Sequence, residues 1–235
     1  MILIDAGFSG AEIRRRMLMV GLDPDDLEAC LITHEHGDHI KGASILSRRH
    51  KVPLLMHSAT KRAGHRHFSG AERMRHFEMK EVMKLGSLTV TSVPTLHDSA
   101  TSTGFLVQSG DLSLGYLTDL GSVTEDNFLS MRSADFLVME ANHDRDMLWN
   151  GPYPAHLKAR VDSRVGHLSN SDSAEFIALL AKLGNLKGVM LAHLSAKNND
   201  PELALSIVRE RQEKDLEIIL ALQDQPSKQI IVEKK

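Results

Sequence analysis

Three histidines and an aspartate fall between His34 and His39, in the run Thr33-His34-Glu35-His36-Gly37-Asp38-His39. Such a density of imidazole and carboxylate is what a divalent cation requires, and with no thiolate among the donors it suits Zn, Mn or Fe. The preceding Ala29-Cys30-Leu31-Ile32 is apolar and reads as a buried strand, so the four residues lie on the turn leaving its C-terminal end. His34 and His36, two apart, project to one side of extended chain, while Asp38 and His39 stand where a following helix begins. Two residues can then serve one ion and two its neighbour. His97, Asp119 and His193 each close a later apolar run. Taken singly, each would more often be a cap or turn residue; taken together with the first cluster they form a ligand set.

The elements that must position these residues are legible as alternating runs. Strands are expected at 1–5, 29–33, 53–57, 87–94, 103–108, 112–118, 135–140, 187–193 and 216–222, and helices at 9–20, 40–50, 124–132, 171–183 and 201–214. Ser9 is a candidate N-cap and Gly21 a stop for the first helix; Asn170 or Ser171 caps the fourth, which Gly184 ends. Gly110-Asp111 reads as a hairpin turn. Strands mixed with amphipathic helices give an α/β or α+β class. No repeat, low-complexity tract or linker divides the chain, so residues 1–235 are expected to form a single domain with a sizeable core.

With 42% apolar and 25% charged residues the composition is that of a soluble globular protein. No apolar run is long enough to cross a bilayer and no leader is evident, so the expected location is the cytoplasm, away from membranes. Cys30 is expected to be a buried packing residue. The net charge of −3 says little about nucleic acid, because a groove needs only local positive potential. Residues 61–76 provide it: Lys61, Arg62, His65, Arg66, His67, Arg73, Arg75 and His76 stand against one acid, Glu72. The segment is either a solvated face or a lid that guides phosphates, with Arg62, Arg66 and Arg73 as its contacts. Aromatic residues make up 4% of the chain, too few for an extended base-stacking platform. His50, His57, His65, His67, His76 and His156 are expected at the surface.

The chain resembles the metallo-β-lactamase superfamily, whose pattern is an Asp after an early strand, then HxHxDH, then a separate His, Asp and His after successive strands. Here these are Asp5, His34/His36/Asp38/His39, His97, Asp119 and His193, in order. Glu140-Ala141-Asn142-His143-Asp144 with Asn150-Gly151-Pro152-Tyr153-Pro154, and Gly166-His167-Leu168-Ser169-Asn170, make it similar to the bacterial YycJ (WalJ) group, related to the RNase Z and RNase J nucleases. The resemblance implies a four-layer αββα sandwich, a dinuclear site, and cleavage of nucleic-acid phosphodiesters, with DNA exonuclease activity the group's expected role. One departure is visible: the chain begins directly at Met1-Ile2-Leu3-Ile4-Asp5, where the superfamily normally has a strand hairpin ahead of the Asp-bearing strand, so either this start is late or the fold has lost an edge hairpin. Superfamily relatives are often dimers, so a homodimer is compatible, and no stretch of sequence locates its interface.

On that pattern His34, His36 and His97 are assigned to one ion, Asp38, His39 and His193 to the second, and Asp119 to the bridge. Two such ions, Zn or Mn with Fe as the alternative, activate a bridging water and clamp the oxygens of an in-line displacement; Asp38 also orients that water. Asp5 is expected to hydrogen-bond a ligand imidazole and fix its tautomer. Expulsion of an alkoxide needs a proton donor, for which His167, held by Glu140, is the first candidate and His143 the second. Asn142, Ser169 and Asn170 are candidate donors to phosphate oxygens, and Tyr153 a candidate stacking residue. The same metal site would serve a thioesterase or lactonase, or be kept by a non-catalytic metal-binding protein.

Overall fold

The computed structural model describes residues 1–212 and 215–233. They form two compact units, one of residues 1–92, 99–103 and 224–229, the other of residues 93–98, the described part of 104–223, and 230–233.

The first unit begins with β1 (Ile2–Ile4), α1 (Gly10–Met19), β2 (Ala29–Leu31), α2 (Gly37–Ile40), α3 (Ala43–His50), β3 (Leu54–His57), α4 (Ser58–Ala63) and β4 (Met74–Phe77). The four strands lie in the order β1-β2-β3-β4, all parallel, with Ile4 opposite Leu31 and Leu31 opposite Leu55. A parallel strand between two others is covered on both faces, which explains the unbroken apolar run of β2 and the complete burial of Cys30. Burial raises the Cys30 thiol pKa well above its ordinary value, with the Asp5 charge adding to the effect. Ile13 and Met17 of α1 and Ala43 and Leu46 of α3 pack on Cys30, Ile32, Leu54 and Met56 to make this unit's core. Ser9 accepts the Glu12 N–H as the α1 N-cap, and Gly21 (φ 75°) turns the chain beyond its end. Gly7 is required for packing: a Cβ there would lie 1.5 Å from the Asp38 carbonyl oxygen, so only glycine lets the β1–α1 loop back onto the histidine loop. β5 (Val82–Leu85) and β6 (Leu88–Thr95) form an antiparallel hairpin that pairs Val82 with Thr91.

The second unit contains β7 (Ser102–Ser109, from Gly104 on), β8 (Leu112–Leu117), α5 (Glu125–Met131), β9 (Phe136–Glu140), α6 (Arg145–Asn150), α7 (Ala155–Val161), α8 (Asn170–Leu183), β10 (Gly188–Ala192), α9 (Pro201–Glu210) and β11 (Glu217–Leu220). Strands β11, β10, β9 and β8 are parallel neighbours in that order, and β8 pairs antiparallel with β7 across Gly110-Asp111, as the turn signal predicts. Leu117, Leu137, Met139, Val189 and Leu191 from the strands meet Phe176, Ile177 and Leu180 of α8 in one apolar core.

All nine expected strands and five expected helices occur, with ends shifted by a few residues. The helix expected at 40–50 is split at Gly42, and that expected at 201–214 ends at Glu210, its positions 213 and 214 lying outside the described residues. The α8 cap is Ser169 rather than Asn170 or Ser171. Strands β4 and β5 and helices α4, α6 and α7 were not expected; each has seven residues or fewer, too short to establish a period. Of the histidines expected at the surface, His50 and His57 are half-buried, with His50 Nδ1 2.6 Å from Asp25 and His57 Nδ1 accepting the Ala59 N–H. No helix among the described residues is long and apolar enough to cross a membrane.

Thr124 and Asn127 close a capping box on α5, and Asn127, fully buried, also donates to the Pro94 carbonyl at 2.8 Å. Replacing Thr124→Ala removes the cap and one partner of a buried amide. We expect chemical denaturation to show a loss of about 1 kcal/mol; an unchanged midpoint would assign the box no stabilising role.

Candidate metal centre

In the first unit the histidine loop begins where β2 ends, and Asp5 stands at the same end of the neighbouring β1. Asp5 adopts a left-handed backbone (φ 61°), which turns its carboxylate sideways across the strand ends. It accepts the Thr33 N–H and hydroxyl, both at 2.8 Å, and lies 2.7 Å from His39 Nδ1. A carboxylate can only accept, so Nδ1 of His39 carries the proton and Nε2 keeps its lone pair. That Nε2 lies 3.6 Å from Asp38, whose side chain is 71% exposed. His34 is fully buried, with Nε2 3.0 Å from His36 Nδ1 and Nδ1 3.0 Å from the Thr33 hydroxyl.

The second unit repeats the device. Asp119 and His193 follow β8 and β10, both in left-handed backbone (φ 55° and 58°), and Glu140 ends β9 between them. Non-glycine residues hold such angles only where the surroundings enforce them, and functional strand ends are where they gather. Glu140 is fully buried. Its Oε1 accepts Nδ1–H of His167 at 2.8 Å and of His193 at 2.7 Å, and its Oε2 accepts the N–H groups of Leu120 at 3.0 Å and Leu168 at 3.3 Å. Burial opposes ionisation, but the hydrogen bonds from His167 and His193 outweigh it and hold the carboxyl below its ordinary range. His97 Nδ1 lies 2.9 Å from the Gly166 carbonyl, an acceptor, which again leaves Nε2 with its lone pair. Burial lowers the His97 pKa while Asp119 pulls the other way, so the ring favours its neutral, ligating form. Asp119 Oδ1 lies 3.7 Å from His97 Nε2.

His39, His97 and His193 therefore share one design: Nδ1 is tied to an acceptor and Nε2 is presented as a donor, the arrangement in which imidazoles ligate metal. Asp119, Glu140, His167 and His193 each bring a donor atom within 4.8 Å of the others. The donor set fits divalent cations. Sequence reasoning found these residues but missed that Glu140 also holds His193, and missed Thr33, which contacts both Asp5 and His34.

Several expected substrate contacts are committed elsewhere. Asn170 forms a reciprocal amide pair with Asn199 at 2.8 and 2.9 Å, and Ser169 caps α8. Asn142 donates to the His193 carbonyl at 2.8 Å. All three are buried, so they lace the loops together instead of facing a ligand. Asn199, unremarked in the sequence, is the hub: its amide also donates to the carbonyls of Ala141 and Asn142. His143, expected as a second proton donor or phosphate contact, is fully buried, with Nε2 3.6 Å from Asp162; burial lowers its pKa and Asp162 opposes that. Tyr153 is half-buried, with Lys197 Nζ 5.8 Å from its ring centre.

The sequence pattern described as beta-lactamase superfamily domain matches residues 1–193. The chain belongs to that family. It is 36% identical over 221 residues to exodeoxyribonuclease WalJ of Streptococcus pneumoniae strain D39, covering 92% of this chain and 81% of the relative. To exodeoxyribonuclease YycJ of Bacillus anthracis it is 34% identical over 206 residues, covering 86% and 77%. The crystal structure of the metallo-β-lactamase fold protein YhfI from Bacillus subtilis superimposes with a TM-score of 0.71 at 18% identity, covering 94% of this chain and 83% of that one. The chain thus has the metallo-β-lactamase fold, with two sheets flanked by helices.

The basic segment abuts the family's histidine loop within the first unit: a Cβ at Gly64 would lie 2.7 Å from Ile40 Cδ1 and 3.3 Å from Glu35 Cβ. Lys61, Arg62, His65, Arg66, Arg73, Arg75 and His76 are exposed; the guanidinium of Arg62 contacts the Ser58 hydroxyl and that of Arg73 the Lys51 carbonyl. Glu72 organises the loop between them, accepting the N–H groups of Ser69 and Gly70 and the hydroxyls of Ser69 and Ser44. Burial works to raise its pKa, but these hydrogen bonds prevail and bring it to about 2 from an ordinary 4.5. A depressed carboxyl contributes stability above its unfolded pKa that is lost as pH falls through the folded one. Glu72→Gln should therefore flatten the pH dependence of unfolding between 4.5 and about 2; denaturation midpoints that fall as steeply in the variant would remove Glu72 from this role.

Proposed function

We propose that the chain is a metal-dependent nuclease, a DNA exonuclease, working as one domain over residues 1–235. The observation that carries the substrate class is the 34–36% identity to two proteins named exodeoxyribonucleases, spread over 86–92% of the chain. The reading assigns His34, His36 and His97 to one ion, Asp38, His39 and His193 to another, and Asp119 to both, on the order of the family motif. Bound divalent ions, Zn or Mn, would supply an acidified water and positive charge against the phosphate.

The remaining chemistry falls to side chains. Glu140 keeps His193 in the Nδ1–H tautomer and, through the same oxygen, holds the His167 ring in place. In this reading His167, 23% exposed, gives the proton that the departing alkoxide needs. In this reading Asp38, its side chain 71% exposed, takes a hydrogen bond from the attacking water. Arg62, Arg66 and Arg73 guide phosphates beside the histidine loop. His143 backs Asp162 and does not touch substrate in this scheme.

Asp119→Ala should strip or uncouple both ions, where loss of a single imidazole costs one. Elemental analysis of the purified proteins checks this, and unchanged metal content in the variant contradicts a bridge.

The leaving group tests His167. His167→Ala should slow cleavage of a DNA strand by about 10²–10⁴-fold, the range for a positioned acid, with metal content retained. A p-nitrophenyl phosphodiester expels a phenolate that is stable near neutral pH, so its cleavage should suffer far less. Equal losses on both substrates would assign His167 a structural role, and cleavage of thioesters but of no nucleic acid would overturn the nuclease reading.

A further inference from the structure

The chain has a single tryptophan, and it is not in a core. Trp149, near the end of α6, is 49% exposed. An indole left half in water forfeits much of its favourable burial, and exposed aromatics held in place are what binding surfaces use. Trp149 is held. Its Nε1–H donates to Asp162 Oδ2 at 3.0 Å, and its carbonyl accepts Lys158 Nζ at 2.7 Å. Asp162 is itself fixed by Arg145 Nε at 3.2 Å and stands 3.6 Å from the buried His143.

The anchor joins the indole to the proton-donor loop. Asp162 immediately follows α7, and the His167 N–H donates to the carbonyl of Val161, the last residue of that helix, at 2.8 Å. Residues 161–167 thus form one closed loop with Asp162 gripping the indole edge at its start and His167 held by Glu140 at its end.

Several charges around Trp149 are paired. Arg145 is paired with Asp162 and Asp172, Arg160 with Asp98, and Asp144 caps α6. The remaining acid on α6, Asp146, is exposed, and Lys158 is spent on the Trp149 carbonyl. With Arg145 and Arg160 paired to acids, the exposed indole is the distinctive feature this surface offers a nucleic-acid strand.

We propose that Trp149 is a stacking residue for one nucleobase of the substrate strand, bound beside the loop that carries His167. The inference rests on the nuclease reading and adds a contact with the base to one built on phosphate and metal. Stacking tolerates any base, so Trp149 contributes affinity and register without sequence preference.

Because Trp149 is the sole indole, intrinsic fluorescence reports on it alone. Metal-loaded protein is titrated with a short phosphorothioate oligodeoxythymidylate, which resists cleavage, and with an abasic strand of equal length. The thymidylate should quench the emission saturably; the abasic strand, which has phosphates but no bases, should bind without quenching. Trp149→Ala should weaken thymidylate binding by about 5- to 150-fold, the loss of one stacked base, with an unchanged slope of log affinity against log salt because no phosphate contact is lost. Trp149→Phe should recover most of the affinity. Binding without quenching, equal quenching by the abasic strand, or wild-type affinity in Trp149→Ala would overturn the proposal and leave the indole to a protein partner. Those outcomes leave strand cleavage intact, whereas a protein that neither binds nor cleaves any strand fails as a nuclease first. The two titrations of the unaltered protein decide the matter even if Trp149→Ala does not fold.

Discussion

A single buried carboxylate organises the strand ends of the second unit. Glu140 Oε1 accepts from both His167 and His193, while Oε2 accepts the backbone N–H groups of Leu120 and Leu168. An ionised carboxylate with no exposure is costly unless its lone pairs are satisfied, and here four donors satisfy them. The arrangement binds together three segments: the turn after β8 with Asp119, the loop before α8 with His167, and the turn after β10 with His193. Because one oxygen serves both imidazoles, displacing either ring disturbs the other. Replacing one donor would leave the carboxylate under-solvated, so the geometry is stabilised by the same desolvation that makes it expensive.

Asp5 plays the corresponding part in the first unit at lower stakes. It is partly exposed, accepts twice from Thr33, and fixes His39 through Nδ1. Both carboxylates sit at the C-terminal ends of parallel strands, where open α/β sheets present loops to ligands. The left-handed backbones of Asp5, Asp119 and His193 are the local cost of turning a side chain across a strand end instead of along it. Aspartate and histidine tolerate that conformation better than β-branched residues, which fits their appearance directly after β-rich strands.

The histidine loop was legible because its donors are consecutive and follow an apolar strand, so their spacing speaks without tertiary information. The same held for β2, whose burial on both faces wrote itself as Ala-Cys-Leu. What the sequence did not disclose depends on partners distant along the chain. Asn142, Ser169 and Asn170 have side chains that could face a phosphate; only their burial and the pairing with Asn199 show that they are spent on neighbouring loops. Nothing local distinguishes Asn199 from the adjacent Asn198. Strand β4, with Arg75 and His76 exposed at the edge of its sheet, carries no alternating pattern strong enough to register. Trp149 was overlooked for a different reason, since a low aromatic content argues against a platform of many rings but not against one.

The two candidate proton donors separate on burial. His143 and His167 flank the same segment of the second unit, and both stand in motif-like surroundings in the sequence. His143 has no exposure, and burial, opposed by Asp162, lowers its pKa, so it favours the neutral form and has no route to a leaving group. His167 keeps 23% of its side chain exposed while its Nδ1 is bound to the Glu140 carboxylate. A general acid must present its proton to the leaving group, and the exposure of His167 is why the proposed role is given to it and not to His143. The hydrogen bonds from Leu168 to Glu140 and from His167 to Val161 already hold that loop in place. In the proposed scheme the donor therefore needs no closing motion to reach its orientation, because the fold has preorganised it.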